Sequence, residues 1–198
     1  MSYYFTSDLH FGNDVYMRRE NRPFSNNRQF EEIFVKNVND ATNADDTLFV
    51  IGNWIDCSDS PLTKDEMTKR FSIVQRLHPH VCLILGKEEA VAINSDIWNG
   101  DKIAFIEYLT GLGFTSVSGT RELMFGGDLI YLTSHPSKHI DGKINLFGST
   151  GRATGLWKPF GLNMSIDLNY YRPFSDNEIR RLLTLKNDIW DKDADCNS

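Results

Sequence analysis

Five short segments concentrate the side chains able to do chemistry: SDLHFG (7–12), GNWID (52–56), GKEE (86–89), TSHPS (133–137) and GSTGR (148–152). In the first, Asp8 and His10 stand two residues apart. Residues i and i+2 of an extended segment share a face. A carboxylate and an imidazole so placed suit a divalent cation. The same pair also suits an aspartate capping a turn beside a surface histidine. Lys87, Ser149, Thr150 and Arg152 are phosphate-holding types. Lysine acts as a point charge, arginine as a bidentate fork, and backbone N–H groups and hydroxyls add donors. Trp54, Trp98 and Trp157 are aromatics of the kind that stack on a base, although tryptophan serves as core more often.

Each of these segments follows a stretch that reads as a strand. Tyr3 to Ser7 is short and aromatic. Thr47 to Asn53 and Val81 to Gly86 are nearly continuous apolar runs, the pattern of strands buried on both faces. Phe30, Ile33, Phe34, Val38 and Ala41 fall on one face of a helix that Asn26 or Asn27 can cap. Met67, Phe71, Val74 and Leu77 mark a second helix, and a third is expected over Asp101 to Leu112. CSDSP reads as a loop. After Thr115 the pattern turns to short strands, with Gly126 to Asp128 as a hairpin turn and NMSIDL as a late strand. Ser175 and Glu178 form a capping box that opens a last helix.

This order predicts an α/β fold of two packed sheets flanked by helices. One domain is expected over residues 1–190, with 191–198 an acidic flexible tail. The tail carries Asp191, Asp193 and Asp195 but lacks the glycine and distal glutamate of a calcium loop. Sites in open α/β sheets form beyond the carboxyl ends of strands, so the five loops are expected around one crevice.

The net charge is −6, which argues against a non-specific nucleic-acid track. Cys57, Cys82 and Cys196 form no CxxC, so neither a disulfide framework nor a zinc knuckle is suggested. No apolar run approaches the ~20 residues of a membrane helix. The first residues, MSYYFTSD, do not read as a signal peptide. A reducing, cytoplasmic compartment is the expectation.

The loops in their order resemble the calcineurin-like metallophosphoesterases, in particular the small bacterial and phage members. That pattern runs DxH, GDxxD, GNH, an isolated histidine, then GHxH. Asp8-Leu9-His10 matches the first motif, and YFTSDLHFG, NRPFS, DDTLFVIG and YYRPFS also read like family sequence. The resemblance spans Tyr3 to Glu178 and implies a two-sheet metallophosphoesterase-like sandwich.

The resemblance also implies a dinuclear metal site, and here the chain departs from it. Asn53 stands where the family has its metal-bridging aspartate, while Asp56 is kept. Lys87 replaces the metal-binding asparagine and Glu88 the catalytic histidine. Ser149 and Gly151 replace the last two histidines. Of the family's metal ligands only Asp8, His10 and His135 remain. Two nearby dications need an anionic bridge to offset their repulsion, and an ammonium group donates without ligating. No metal or other cofactor is therefore expected. The leading expectation is a catalytically inactive phosphoesterase fold. Its ligand is a phosphate-containing small molecule, such as a signalling nucleotide held in sequestration, gripped by Asp8, His10, Asn53, Lys87, His135, Ser149, Thr150 and Arg152. One alternative is an active phosphoesterase with Mn, Fe or Zn on Asp8, His10, His135 and a substitute carboxylate from Asp56, Glu88 or Glu89. The other is a protein-interaction scaffold.

Overall fold

The computed structural model describes residues 1–57 and 62–195, so most of the CSDSP loop and the last three residues lie outside it. Strands β1 (Tyr3–Thr6), β2 (Thr47–Ile51), β3 (His80–Ile84) and β4 (Ser116–Ser118) run parallel, side by side in that order. A second sheet has β5 (Thr120–Phe125) against β6 (Asp128–Thr133), then β7 (Ile144–Phe147) and β9 (Gly161–Asn163), with β8 (Trp157–Lys158) at its edge. β10 (Phe174–Ser175) closes the first sheet antiparallel to β1. The molecule has an α/β fold, two sheets flanked by helices.

Alternation along the strands builds two cores. Leu48 and Val50 of β2, with Val81 and Leu83 of β3, face the helices. Phe49, Ile51, Cys82 and Ile84 face the second sheet and meet Ile130, Leu132, Leu146 and Leu162. A strand with one apolar layer on each side must read as a continuous apolar run, because successive side chains alternate between faces. The helical layer holds α2 (Asn27–Ala41), α3 (Lys64–Phe71) and α5 (Lys102–Leu112). Their buried side chains include Phe30, Phe34, Phe71, Phe105 and Leu109. Asn26 caps α2 by accepting from Gln29 N, and Asp101 caps α5 by accepting from Ala104 N. The Ser175–Glu178 capping box opens α6 (Asp176–Asp195). That helix reaches past residue 190, where the sequence reading ended the domain.

The structure differs from the sequence reading at three short elements. α1 (Asp14–Arg19) and α4 (Lys87–Ile93) have six and seven residues, too short to display an apolar period. GKEE is therefore the first turn of a helix and not a loop. NMSIDL is mostly not a strand: after Asn163 the chain enters a 3-10 turn at Ile166–Leu168.

The two sheets meet at the end of β7. A Cβ on Gly148 would lie 2.4 Å from the Ile51 carbonyl oxygen and 2.6 Å from Ser7 Cβ. Only glycine lets the loop after β7 lie against the ends of β1 and β2.

Candidate functional site

The loops after β1, β2 and β7 interlock through Asp8. This side chain is wholly buried. Its Oδ1 accepts from Ser149 N at 2.7 Å and from Asn53 Nδ2 at 3.1 Å, and its Oδ2 accepts from Gly151 N at 3.0 Å. Asn53 Nδ2 donates also to Ser149 Oγ at 3.0 Å. Backbone bonds reinforce the junction: His10 N to Asn53 O and Phe11 N to Trp54 O, both 2.9 Å. Asp8, His10, Asn53 and Ser149 all hold left-handed backbone, with φ of 60°, 52°, 53° and 65°. Each such residue costs of order 1 kcal/mol, a strain that persists only where surrounding bonds enforce it.

Beneath this junction lies a buried ion pair. Arg22 donates to both carboxylate oxygens of Asp167 at 2.8 Å, and to the carbonyls of Leu9 at 2.8 Å and Asp8 at 2.5 Å. Both side chains are fully buried. A fork of this kind satisfies four acceptors with one planar group.

Above the junction opens a cavity of about 590 Å3. It brings together six of the expected residues: His10, Asn53, Lys87, His135, Ser149 and Thr150. Asp8 lies under its floor. Arg152 does not line it; its side chain is exposed and donates to the Tyr171 hydroxyl at 2.8 Å. Thr150 contributes less donor capacity than its type suggests. Its hydroxyl accepts from Asn163 Nδ2 at 3.1 Å and shares a 2.8 Å bond with Thr154 Oγ1.

α1 supplies wall residues that the sequence reading missed: Tyr16, Arg19 and Glu20 just beyond its end. Tyr16 stacks on the His10 ring with 3.7 Å between centroids. Burial, then the charge of Asp8, holds the Tyr16 hydroxyl far above its ordinary pKa, so it stays protonated. The signal for α1 was Asn13, whose side chain caps it by accepting from Tyr16 N.

The charge differs from the cationic cleft that Lys87 and Arg152 suggest by sequence. The wall carries Arg19 and Lys87 but also Glu20, Asp56 and Glu88. The anions have partners. Glu20 pairs with Arg19 at 3.3 Å, Asp56 Oδ2 accepts from His10 Nδ1 at 2.8 Å, and Glu88 Oε2 accepts from Cys57 N at 2.9 Å. Lys87 makes no ion pair among the described residues and is exposed to the cavity.

Glu89 is structural. Its buried carboxylate accepts from Gly86 N and Trp54 N at 2.7 Å and from Asn53 N at 3.1 Å, tying α4 to the loop after β2. Burial raises its pKa, opposed by those backbone bonds. Trp54 and Trp98 belong to the helical core and do not reach the cavity. Trp157 packs at the margin of the core between the sheets.

These positions do not fit a dinuclear metal centre. N–H donors occupy both oxygens of Asp8. Asn53 turns its amide nitrogen, not its oxygen, toward Asp8 and Ser149. No group of three or more His, Cys, Asp or Glu side chains converges as a metal cage among the described residues.

No protein-family model matches the chain. An uncharacterized protein of Methanocaldococcus jannaschii is 25% identical over 185 residues, covering 91% of this chain and 90% of the relative. A crystal structure of a protein of unknown function from Aquifex aeolicus superposes with a TM-score of 0.62 at 17% identity, covering 91% of this chain and 98% of that one. That likeness is one of fold. A solved archaeal phosphodiesterase reaches a TM-score of 0.42 at 13% identity over 83% of this chain and 84% of that one, too distant to carry an argument. No helix among the described residues is long and apolar enough to cross a membrane.

Proposed function

We propose that this chain is a metallophosphoesterase-like protein that binds a phosphate-containing small molecule in the cavity above the loops that follow β1, β2 and β7, and does not hydrolyse it by two-metal chemistry. The observation that carries the reading is the closed Asp8–Asn53–Ser149 network. It uses Asp8, the family metal carboxylate that this chain keeps in its first motif, as a structural acceptor. Two-metal hydrolysis needs ions to generate hydroxide and to clamp phosphoryl oxygens, and this donor set supplies neither. What faces the cavity instead is the Lys87 ammonium, without an ion pair among the described residues, the His135 ring and the Ser149 hydroxyl. A nucleotide fits both the cavity size and this chemistry. Retention without turnover would sequester it.

The test is calorimetry of the purified chain against linear and cyclic nucleotides, beside metal analysis and a generic phosphodiester assay with added Mn2+. Binding lost in Lys87→Ala, with no turnover, is the expected result. Two equivalents of bound metal with turnover abolished by Asp8→Ala would overturn the reading. So would a chain that binds none of the nucleotides.

A further inference from the structure

The cavity is not lined by donors alone, and the two histidines that share it play opposite parts. His10 Nδ1 is bonded to the Asp56 carboxylate, which can only accept, so Nδ1 carries the proton. In the neutral ring Nε2 is then a lone-pair acceptor. His135 is the reverse. The backbone N–H of Ser137 donates to His135 Nδ1 at 3.1 Å, so Nδ1 holds the lone pair and Nε2 carries the proton.

Other groups extend this division. Ser149 Oγ already accepts from Asn53 Nδ2, which leaves its hydroxyl proton to be donated. Lys87 adds N–H donors. On the accepting side, Glu88 uses Oε2 for Cys57 N, and its Oε1 has no hydrogen-bond partner among the described residues. A bare phosphate at neutral pH offers the accepting groups only its one or two P–OH protons. It would also fill little of a cavity of about 590 Å3.

We infer that the ligand is a phosphate ester that bears hydroxyl groups. Its anionic oxygens face Lys87, His135 Nε2 and the Ser149 hydroxyl, and its hydroxyls donate to His10 Nε2 and Glu88. This rests on the phosphate-binding reading above and narrows it to sugar phosphates and nucleotides with an intact ribose. Hydroxyl groups suit the accepting side better than an ammonium group does. Two of its carboxylates are already engaged, and a neutral donor needs no further charge balance.

The experiment is calorimetry at fixed ionic strength with inorganic phosphate, ribose 5-phosphate, 2-deoxyribose 5-phosphate and phosphoethanolamine. Ribose 5-phosphate is expected to bind at least about tenfold more tightly than inorganic phosphate, the size of one hydrogen bond to a charged acceptor. The deoxy sugar is expected to lose part of that margin. Glu88→Gln removes a negative charge near both ligands alike and should shrink the margin of ribose 5-phosphate over inorganic phosphate, with its melting temperature checked against the parent. The deoxy comparison needs no variant and stands even if Glu88→Gln misfolds. Equal affinity for inorganic phosphate and ribose 5-phosphate overturns the inference but leaves the binding reading intact. Phosphoethanolamine binding more tightly than ribose 5-phosphate also overturns it, in favour of a cationic ligand group. No binding by any of the four, nor by nucleotides, overturns both.

Discussion

Replacing Asp8 separates a structural carboxylate from a chemical one. In Asp8→Ala, the backbone N–H groups of Ser149 and Gly151 and the Asn53 amide all lose their acceptor. Each hydrogen bond to a charged acceptor contributes about 1.5–3 kcal/mol, and each buried donor left without a partner costs about 1–3 kcal/mol. These losses overlap, and removing a buried charge recovers part of them. The net expectation is a loss of about 3–5 kcal/mol. For a chain of this size each kcal/mol moves the melting temperature roughly 2–4 °C, so the drop is about 6–20 °C. Asp8→Asn can keep the bonds at Oδ1 but turns an amide nitrogen toward Gly151 N–H, and should cost less, about 1–3 kcal/mol. Urea denaturation followed by tryptophan fluorescence, with a thermal melt, measures both. An Asp8→Ala protein within about 0.5 kcal/mol of the parent, or more stable than it, refutes the structural role. That is the behaviour of a carboxylate held in strained backbone for chemistry, where removal relieves the fold.

Three further outcomes follow from other buried groups. Arg22→Met should cost about 3–5 kcal/mol because it strands the Asp167 carboxylate, while the double variant Arg22→Met/Asp167→Leu should cost less than the two single variants combined; additive costs in a double-mutant cycle would contradict the pairing. The Glu89 pKa lies above its ordinary 4.5 in the folded chain, so the stability this group adds is full below that value and fades as pH rises through the folded pKa. Urea titrations from mildly acid to neutral pH should therefore show the parent losing ground to Glu89→Gln as pH rises, and a parent that gains ground would refute the direction. Burial, aided by the charges of Glu88 and Glu89, pushes the Cys57 thiol up to about 12. In a Cys196→Ser chain, iodoacetamide should label Cys57 slowly at neutral pH with a rate still climbing at pH 10, and a plateau near pH 9 would show an ordinary thiol.

The parts of the fold legible in the sequence were those governed by periodicity. β2 and β3 are sandwiched between two apolar layers, so Leu48 to Ile51 and Val81 to Ile84 had to read as unbroken apolar runs. α2 is long enough to show a stripe, and Asn26 announces its start. α1 and α4 were hidden because six or seven residues do not complete a pattern. Missing α1 cost the site Tyr16, Arg19 and Glu20, which stand on that helix or just beyond it. The loop order placed His10, Asn53, Lys87, His135, Ser149 and Thr150 at one crevice, because loops at the carboxyl ends of neighbouring strands must be neighbours. It could not tell that Arg152, one residue past Gly151, swings away to Tyr171. Side-chain direction after a glycine in left-handed backbone is set by packing, and nothing local in the sequence encodes it.

The bonds that close the cavity floor join residues 141 and 143 positions apart, and the ion pair beneath them joins residues 145 apart. Contacts of such span form only after the intervening chain has been gathered, since loop closure costs entropy before those contacts repay it. Binding of the proposed ligand would thus be a late event in refolding. A chain halted with only its first sheet assembled would have near-native helical content and no affinity. Recovery of binding after dilution from denaturant then times the docking of the second sheet on the first, a step that far-ultraviolet spectroscopy would pass over.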